Sequence, residues 1–378
     1  MVEIAAFIAA PLGGATLAAL GADVIRVDPP GGGIDINRWP LHQGRSLYWA
    51  GLNQGKRSVT IDMGTERGRQ QVAKLITAPG QGAGIFLTNL PTAQWNSYEE
   101  LSLMRPDLIM VLITGTREGG TAVDYTVNAA LGFPFITGPE GRDGPINHVL
   151  PAWDAMTGFI AATAILAAER HRRLTGKGQL IELSLVDVGI AVAGNLGYLA
   201  EAQVVEEARG RFGNYVYGTF GRDFTTRDGT SLIVLALTPR QWKSLVRATG
   251  LADEVKHLES SRGVDLQRED DRWVCREAIA DLLGHWIASR ELSEVGARFN
   301  EQGVLWGPYQ TFKQFVASDA FRSEVSDFIR DVEHPGLGRY LTVGSPIRFQ
   351  GTEIVPPRPT PELGQHTDEV LREFGIED

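Results

Sequence analysis

The sequence predicts an α/β protein, a large domain with a largely parallel sheet followed by a smaller α+β domain. Two observations lead there. Short β-branched runs alternate with helical segments through the first half of the chain, and a hairpin-like alternation begins beyond Gly210. With 378 residues, 43% hydrophobic and 22% charged, the chain is long and apolar enough for two cores, which excludes a disordered or fibrous reading.

In order, Pro11–Leu20 reads as a helix, Val24–Val27 and Val59–Ile61 as strands, Glu66–Thr77 as a helix, and Gly84–Thr88 and Leu108–Thr114 as strands. Strands separated by helices pair in parallel through crossovers, which gives a Rossmann-like domain. Gln179–Leu185 adds a strand, and the Ala/Gly/Leu-rich stretch toward Glu207 reads as one helix bridging out of the domain. Gly218–Leu237 alternates around Asp228-Gly229, a hairpin turn signal. Helices at Arg240–Thr249, Arg272–Ala288 and Glu291–Gln302 follow, then short strands at Tyr340–Val343 and Ile347–Phe349 and a last helix at Thr367–Phe374. The expected organisation is a large domain over residues 1–209, a small domain over 210–320, and a return to the large domain over 321–378.

Composition removes several function classes. The apolar run Ile4–Leu20 is broken by Pro11, Gly13 and Gly14, and the one from Phe159 ends in Glu169-Arg-His-Arg-Arg173, so neither reads as a membrane span. No basic-then-apolar leader is legible at the start, and the single cysteine, Cys275, forms no internal disulfide; the expected compartment is a reducing cytoplasm. A net charge of -10 with dispersed basic residues disfavours nucleic acid as a partner. Seven scattered histidines without metal-ligand spacing give no support for a metal site.

Gly31-Gly-Gly33 follows a strand, but no helix follows as a dinucleotide fingerprint requires. Gly51 to Ser58 imitates a P-loop with its first glycine one residue too close to Gly55-Lys56, and Arg57 replaces the magnesium-binding hydroxyl. Lys56 and Arg57 are left with two readings, a phosphate contact or a solvated pair. Asp154 precedes a helical stretch, Ala155–Arg173, that ends in a cationic turn and Gly176. At or near the N-cap, its carboxylate is favoured in the ionised form. That form serves equally as a cap and as a nucleophile.

Longer stretches carry more information: Leu20-Gly-Ala-Asp-Val-Ile-Arg-Val-Asp-Pro-Pro30, Asn53-Gln-Gly-Lys-Arg-Ser-Val-Thr-Ile-Asp62, Asp154-Ala-Met-Thr-Gly158, Arg173-Leu-Thr-Gly-Lys-Gly-Gln179 and Leu363-Gly-Gln-His-Thr-Asp-Glu-Val-Leu371. In this order they resemble the family III CoA transferases, which include carnitine and formyl-CoA transferases and α-methylacyl-CoA racemases. Ala9–Gly14, Arg38-Trp-Pro40, Tyr48–Asn53, Val123–Asn128, Asn147–Asp154 and Gly213–Phe224 are similar to the branch that moves CoA between C1 and C4 of mesaconate.

The resemblance implies that Asp154 is the nucleophile and that Arg26, Ile61, Asn89 and Leu90 line the CoA groove. It implies an acyl-CoA substrate, no separate cofactor, and an interlaced homodimer. Val123 stands where the racemases place a catalytic histidine, and Ile8 stands near a glutamine of the formyl-CoA branch. Both departures point away from those activities. Family chains usually carry a further piece of first strand before Val2-Glu3. Tyr125, Asn128, Arg211, Asn214 and Tyr215 are candidates to hold a released dicarboxylate. His148 is expected to make a structural hydrogen bond and Trp153 to pack beside the site.

Overall fold

The computed structural model describes residues 1–319, 321, 328–353 and 355–376. The chain divides into two compact units. The first comprises Met1–Gly132, His148–Glu206 and the described part of 323–378; the second comprises Phe133–Asn147 and the described part of 207–322.

The first unit is built on six parallel strands: β1 (Val2–Ile4), β2 (Ile25–Asp28), β3 (Arg57–Thr60), β4 (Ile85–Thr88), β5 (Ile109–Thr114) and β6 (Gln179–Ser184). Their order across the sheet is β3-β2-β1-β4-β5-β6. Strands β2 and β4 are buried along their whole length, as parallel strands covered on both faces must be. Val27, Val72, Ile76, Phe86, Leu101 and Met110 share one apolar core. Val370 of the C-terminal helix joins it, and the Thr60 backbone N–H donates to Thr367 Oγ1 at 2.9 Å.

Four helices position the site: α1 (Ala9–Ala19), α2 (Asp124–Ala130), α3 (Ala152–Thr175) and α4 (Leu185–Asn195). α1 and α3 approach almost backbone to backbone through Gly13 and Gly158. A Cβ on Gly158 would stand 2.8 Å from the Ala9 carbonyl oxygen, so glycine is required there. α3 ends as expected at Gly176, in the left-handed conformation with φ 74°.

In the second unit, Phe220–Thr225 and Leu305–Pro308 flank Ser231–Ala236 in an antiparallel sheet. Helices Pro239–Thr249, Arg276–Ala288 and Leu292–Gln302 cover it around Phe220, Val234, Trp242, Leu283 and Phe299. Residues 133–147 join this unit although they precede position 210, because Arg211 donates to the carbonyls of Pro134, Arg142 and Gly144.

Other expectations need correction. The bridging helix is broken: Leu185–Asn195 and Tyr198–Val204 meet at Gly197, whose φ of 83° ends a right-handed helix. Arg272–Ala288 splits into Glu269–Val274 and Arg276–Ala288 at Cys275. Ile347–Phe349 forms no strand; Ile329–His334 pairs with Gly338–Val343 instead. Among the described residues, no single helix is long and apolar enough to cross a membrane.

Candidate active site

The carboxyl ends of β1, β4, β5 and β6 open on a cavity of about 660 Å³. Phe7 and Ile8 leave β1, Asn89 and Leu90 leave β4, Thr114 ends β5 and Leu185 opens α4 after β6; all line it. The chain winds outward from β1 to β2 and β3 and then crosses to β4 on the other side of β1. The cavity therefore lies at the point where the winding reverses, the place where open α/β sheets leave room for a ligand. Arg38, Tyr48, Asp124, Tyr125 and Asp154 complete its polar wall.

Asp154 is the third residue of α3, because the helix starts at Ala152 rather than at Ala155. The cap residue, Pro151, has no side chain able to satisfy the free N–H groups of the first turn. Asp124 does so from α2: its Oδ2 accepts from the backbone N–H groups of Trp153 at 2.8 Å and Asp154 at 3.3 Å. The Asp154 carboxylate itself accepts no hydrogen bond and joins no ion pair among the described residues. Burial first, and then the charge of Asp124, push its carboxyl up to about 6 against the pull of Arg38. The ionisation that a helix start favours is thus more than offset, and the group titrates close to neutrality.

Three residues outside the strands, Phe7, Asn89 and Tyr48, shape the rest of the wall. Phe7 has a positive φ of 61° and is pinned there by its N–H, which donates to Asp35 Oδ2 at 3.0 Å. Asn89 fixes the same loop, accepting from the Ala6 N–H at 2.9 Å and donating to the Ala6 carbonyl at 2.8 Å. Burial pushes the Tyr48 phenol up to about 12, and among the described residues its buried hydroxyl has no hydrogen-bond partner.

The structure brings Asp154, Asn89, Leu90 and Tyr125 to one cavity and leaves Arg26, Ile61 and Asn128 of the same unit outside its lining. Arg26 is 0% exposed; its guanidinium pairs with Asp28 at 2.9 Å and with Glu3 and Asp35 at 3.4 Å. It balances charge inside the sheet and does not line the cavity. Ile61 is a core residue beside Val59. Asn128 is buried one turn along α2 from Asp124 and is also absent from the lining. Arg211, Asn214 and Tyr215 belong to the second unit. There Tyr215 donates to Glu277 at 2.8 Å, and Asn214 is exposed.

The two readings of Lys56 and Arg57 also resolve. Lys56 Nζ is consumed by Glu3 Oε1 at 2.9 Å, the Pro11 carbonyl at 2.8 Å and Asn53 Oδ1 at 3.0 Å, while Arg57 pairs with Asp23 and Glu373. Neither is left for a phosphate. Trp153 is 3% exposed, and the His148 ring meets it edge-on at 6.5 Å, outside the cavity lining. Sequence reasoning missed Asp124, Arg38 and Tyr48 as site residues. Isolated polar residues in loops or first turns have no periodic signal; only the branch-like runs that contain them marked them out.

Residues 1–367 match the family model for CoA-transferase family III. The chain belongs to CoA-transferase family III. It is 51% identical over 375 residues to the 2-methylfumaryl-CoA isomerase of Chloroflexus aurantiacus, covering 99% of this chain and 92% of that protein. It is 27% identical to the succinyl-CoA–D-citramalate CoA-transferase of the same organism, again covering 99% and 92%. The crystal structure of a CAIB/BAIF family protein from Brucella suis matches with a TM-score of 0.79 at 26% identity, covering 99% of this chain and 97% of that one.

Within this family III chain, the cavity offers an ionisable carboxylate with a second carboxylate and one arginine beside it. Val123 lines the same wall and carries no proton-transfer group. Among the described residues that line the cavity there is no histidine, and the ionisable carboxylates are chemically able to act as nucleophiles.

Proposed function

We propose that the chain interconverts 2-methylfumaryl-CoA (mesaconyl-C1-CoA) and 3-methylfumaryl-CoA (mesaconyl-C4-CoA) by intramolecular CoA transfer, with Asp154 as the nucleophile. The reading is carried by the 51% identity, over 99% of the chain, to a 2-methylfumaryl-CoA isomerase.

The chemistry balances on Asp154 and the substrate. The ionised carboxylate attacks the thioester carbon, the C–S bond breaks, and CoA leaves as a thiolate with the bonding pair. The product is a mixed anhydride. The thiolate, held nearby, attacks the aspartyl carbonyl; the anhydride C–O bond breaks and the acid is released as a dicarboxylate beside an aspartyl-CoA thioester. The other carboxylate of the same acid then attacks that thioester, and the sequence reverses. No proton is gained or lost and no oxidation state changes, so the cycle calls for no separate cofactor; CoA enters as the substrate thioester.

Asn89 and Leu90 are proposed to border the CoA chain and Tyr125 the acyl group. The two developing oxyanions need hydrogen-bond donors, and the Tyr48 hydroxyl is a candidate because it has no partner among the described residues. The reading extends to a cytoplasmic enzyme acting as an interlaced homodimer, supported by the family resemblance and by the exposed Phe159, Ile160 and Leu166 on α3.

The test is direct. Purified protein is given 2-methylfumaryl-CoA, and the C4 isomer is followed by chromatography in the presence of labelled free mesaconate. Appearance of the isomer with label excluded is expected; active preparations that never form it defeat the reading. A second reading, transfer to a separate acid, draws on the D-citramalate transferase relative and predicts that label enters the CoA ester.

A further inference from the structure

The glycine run Gly31-Gly-Gly33 binds no dinucleotide, yet it is not idle. Gly31 and Gly32 take positive φ values of 89° and 91°, which reverse the chain after β2. Gly33 then passes so close to the sheet that a Cβ there would stand 3.1 Å from Asp28 Oδ1 and 3.2 Å from Asp35 Oδ1. The turn delivers Asp35 into the interior, where it is 1% exposed. A carboxylate buried this deeply is tolerated only when its oxygens are paired.

Both oxygens are engaged. Oδ1 accepts from the Arg26 guanidinium at 3.4 Å, and Oδ2 accepts from the Phe7 backbone N–H at 3.0 Å. Arg26 holds two further acids, Asp28 and Glu3, so its charge does not depend on Asp35 alone. Phe7 has no such reserve. Its φ of 61° lies in the left-handed region, where the Cβ of an L residue is crowded by a carbonyl oxygen and only glycine escapes the penalty. Strain of this kind persists where the surroundings impose it. On one side Ala6 is bolted to Asn89 through both its N–H and its carbonyl; on the other the Ile8 carbonyl accepts from the Leu12 N–H at 2.7 Å. Phe7 is the link between these fixed points, and it lines the same cavity as Asp154.

We propose that Asp35 is a positioning residue for the reaction: it holds the Phe7 backbone in the left-handed conformation, so that the wall at the end of β1 sets the acyl-CoA against Asp154. The assignment rests on the proposed isomerase reading for its reaction. It also gives the glycine run a purpose, since that turn is what brings Asp35 beneath the loop between β1 and α1. Released from the carboxylate, Phe7 relaxes out of the left-handed region and carries its ring and the following peptide with it. A displacement of about 1 Å in such a wall is worth up to roughly 100-fold in rate.

The test is a set of double-mutant cycles that pair Asp35→Ala with Phe7→Ala and with Phe7→Gly. Alanine removes the ring and still needs help to stay left-handed; glycine removes the ring and needs none. Isomerisation of 2-methylfumaryl-CoA is measured per folded protein, with thermal melts run alongside. Asp35→Ala is expected to lower kcat/KM by roughly 10- to 100-fold in the wild-type and Phe7→Ala backgrounds, and by no more than about threefold beside Phe7→Gly. A role confined to balancing Arg26 would cost the same in all three backgrounds, and equal losses overturn the assignment. So does the absence of any loss. Should Asp35→Ala not fold, Gly33→Ala, whose Cβ crowds the same carboxylate, takes its place in the same cycles and is judged by the same two criteria. A wild-type protein that does not interconvert the isomers overturns the isomerase reading alone; the cycles are then read on entry of labelled mesaconate into the CoA ester.

Discussion

Asp124 caps the helix that carries Asp154: its Oδ2 accepts the Asp154 backbone N–H at 3.3 Å, and its charge raises the carboxyl on the same residue. One carboxylate thus orients the candidate nucleophile through the backbone and weakens its acidity through space. The two effects are separable, because an amide in place of Asp124 keeps an acceptor oxygen and loses the charge.

The pH dependence follows. With its carboxyl raised to about 6, Asp154 is protonated and unreactive in acid, so kcat/KM should fall about tenfold per unit below that value. Asp124→Asn should move the acid limb to lower pH by removing the second-largest cause of the shift. Arg38→Gln should move it upward, since Arg38 opposes the shift. Rate profiles from pH 4 to 9 read both directions; displacement of the two limbs in the same sense would refute the electrostatic account.

Asp154→Asn should lower turnover by roughly three orders of magnitude or more while making the fold more stable. A carboxyl whose folded value is raised contributes stability below its ordinary value of 3.8, and that contribution is lost as pH climbs through about 6. At neutral pH the ionised group costs the fold at most about 3 kcal/mol, less whatever solvent screening relieves. Thermal melts of wild type and variant should therefore nearly coincide at pH 4 and separate by pH 7, with the variant higher.

Gly158→Ala tests the close contact of α1 and α3. The added Cβ meets the Ala9 carbonyl oxygen at 2.8 Å and Leu12 Cβ at 3.0 Å, and backbone cannot yield as a side chain can. A loss of about 1–3 kcal/mol is expected in denaturant titrations. Gly158 lies one turn along α3 from Asp154, so kcat should fall in the folded fraction as well.

Lys56→Met removes the counter-charge nearest to Glu3, which is fully buried. Leaving that acid with only the longer contact to Arg26, 3.4 Å away, should cost about 3–5 kcal/mol. The same change should leave KM for the CoA ester nearly constant in protein that remains folded, since Lys56 does not line the cavity. A large rise in KM with little loss of stability would instead return Lys56 to the phosphate reading.

Much of this was legible in the residues. Val24–Val27, Gly84–Thr88 and Leu108–Thr114 announced parallel strands because they alternate with helical segments that serve as crossovers, and the structure buries them in one parallel sheet. Asp228-Gly229 announced a hairpin, and Gly176 the end of α3. Breaks such as Gly197 and Cys275 were missed because a helical period continues on both sides of them.

The sequence by itself determined the α/β class, the family through its separated motifs, and Asp154 as a carboxylate at the start of a helix. It could not choose between cap and nucleophile, since one residue before a helix has the same local chemistry in either role. Only the tertiary structure decided that another residue does the capping. Asp124 reaches the amides of Trp153 and Asp154 from α2, across a gap of about thirty residues that no local pattern spans. The same holds for Arg26 and Arg38. Both are single arginines to the eye, but the sheet closes over one and pairs it with Asp28, while the loop after β2 carries the other into the cavity over the Phe7 and Tyr48 rings, with no ion pair among the described residues. Charge compensation depends on which groups share a small volume of low polarity, and that is a property of the fold.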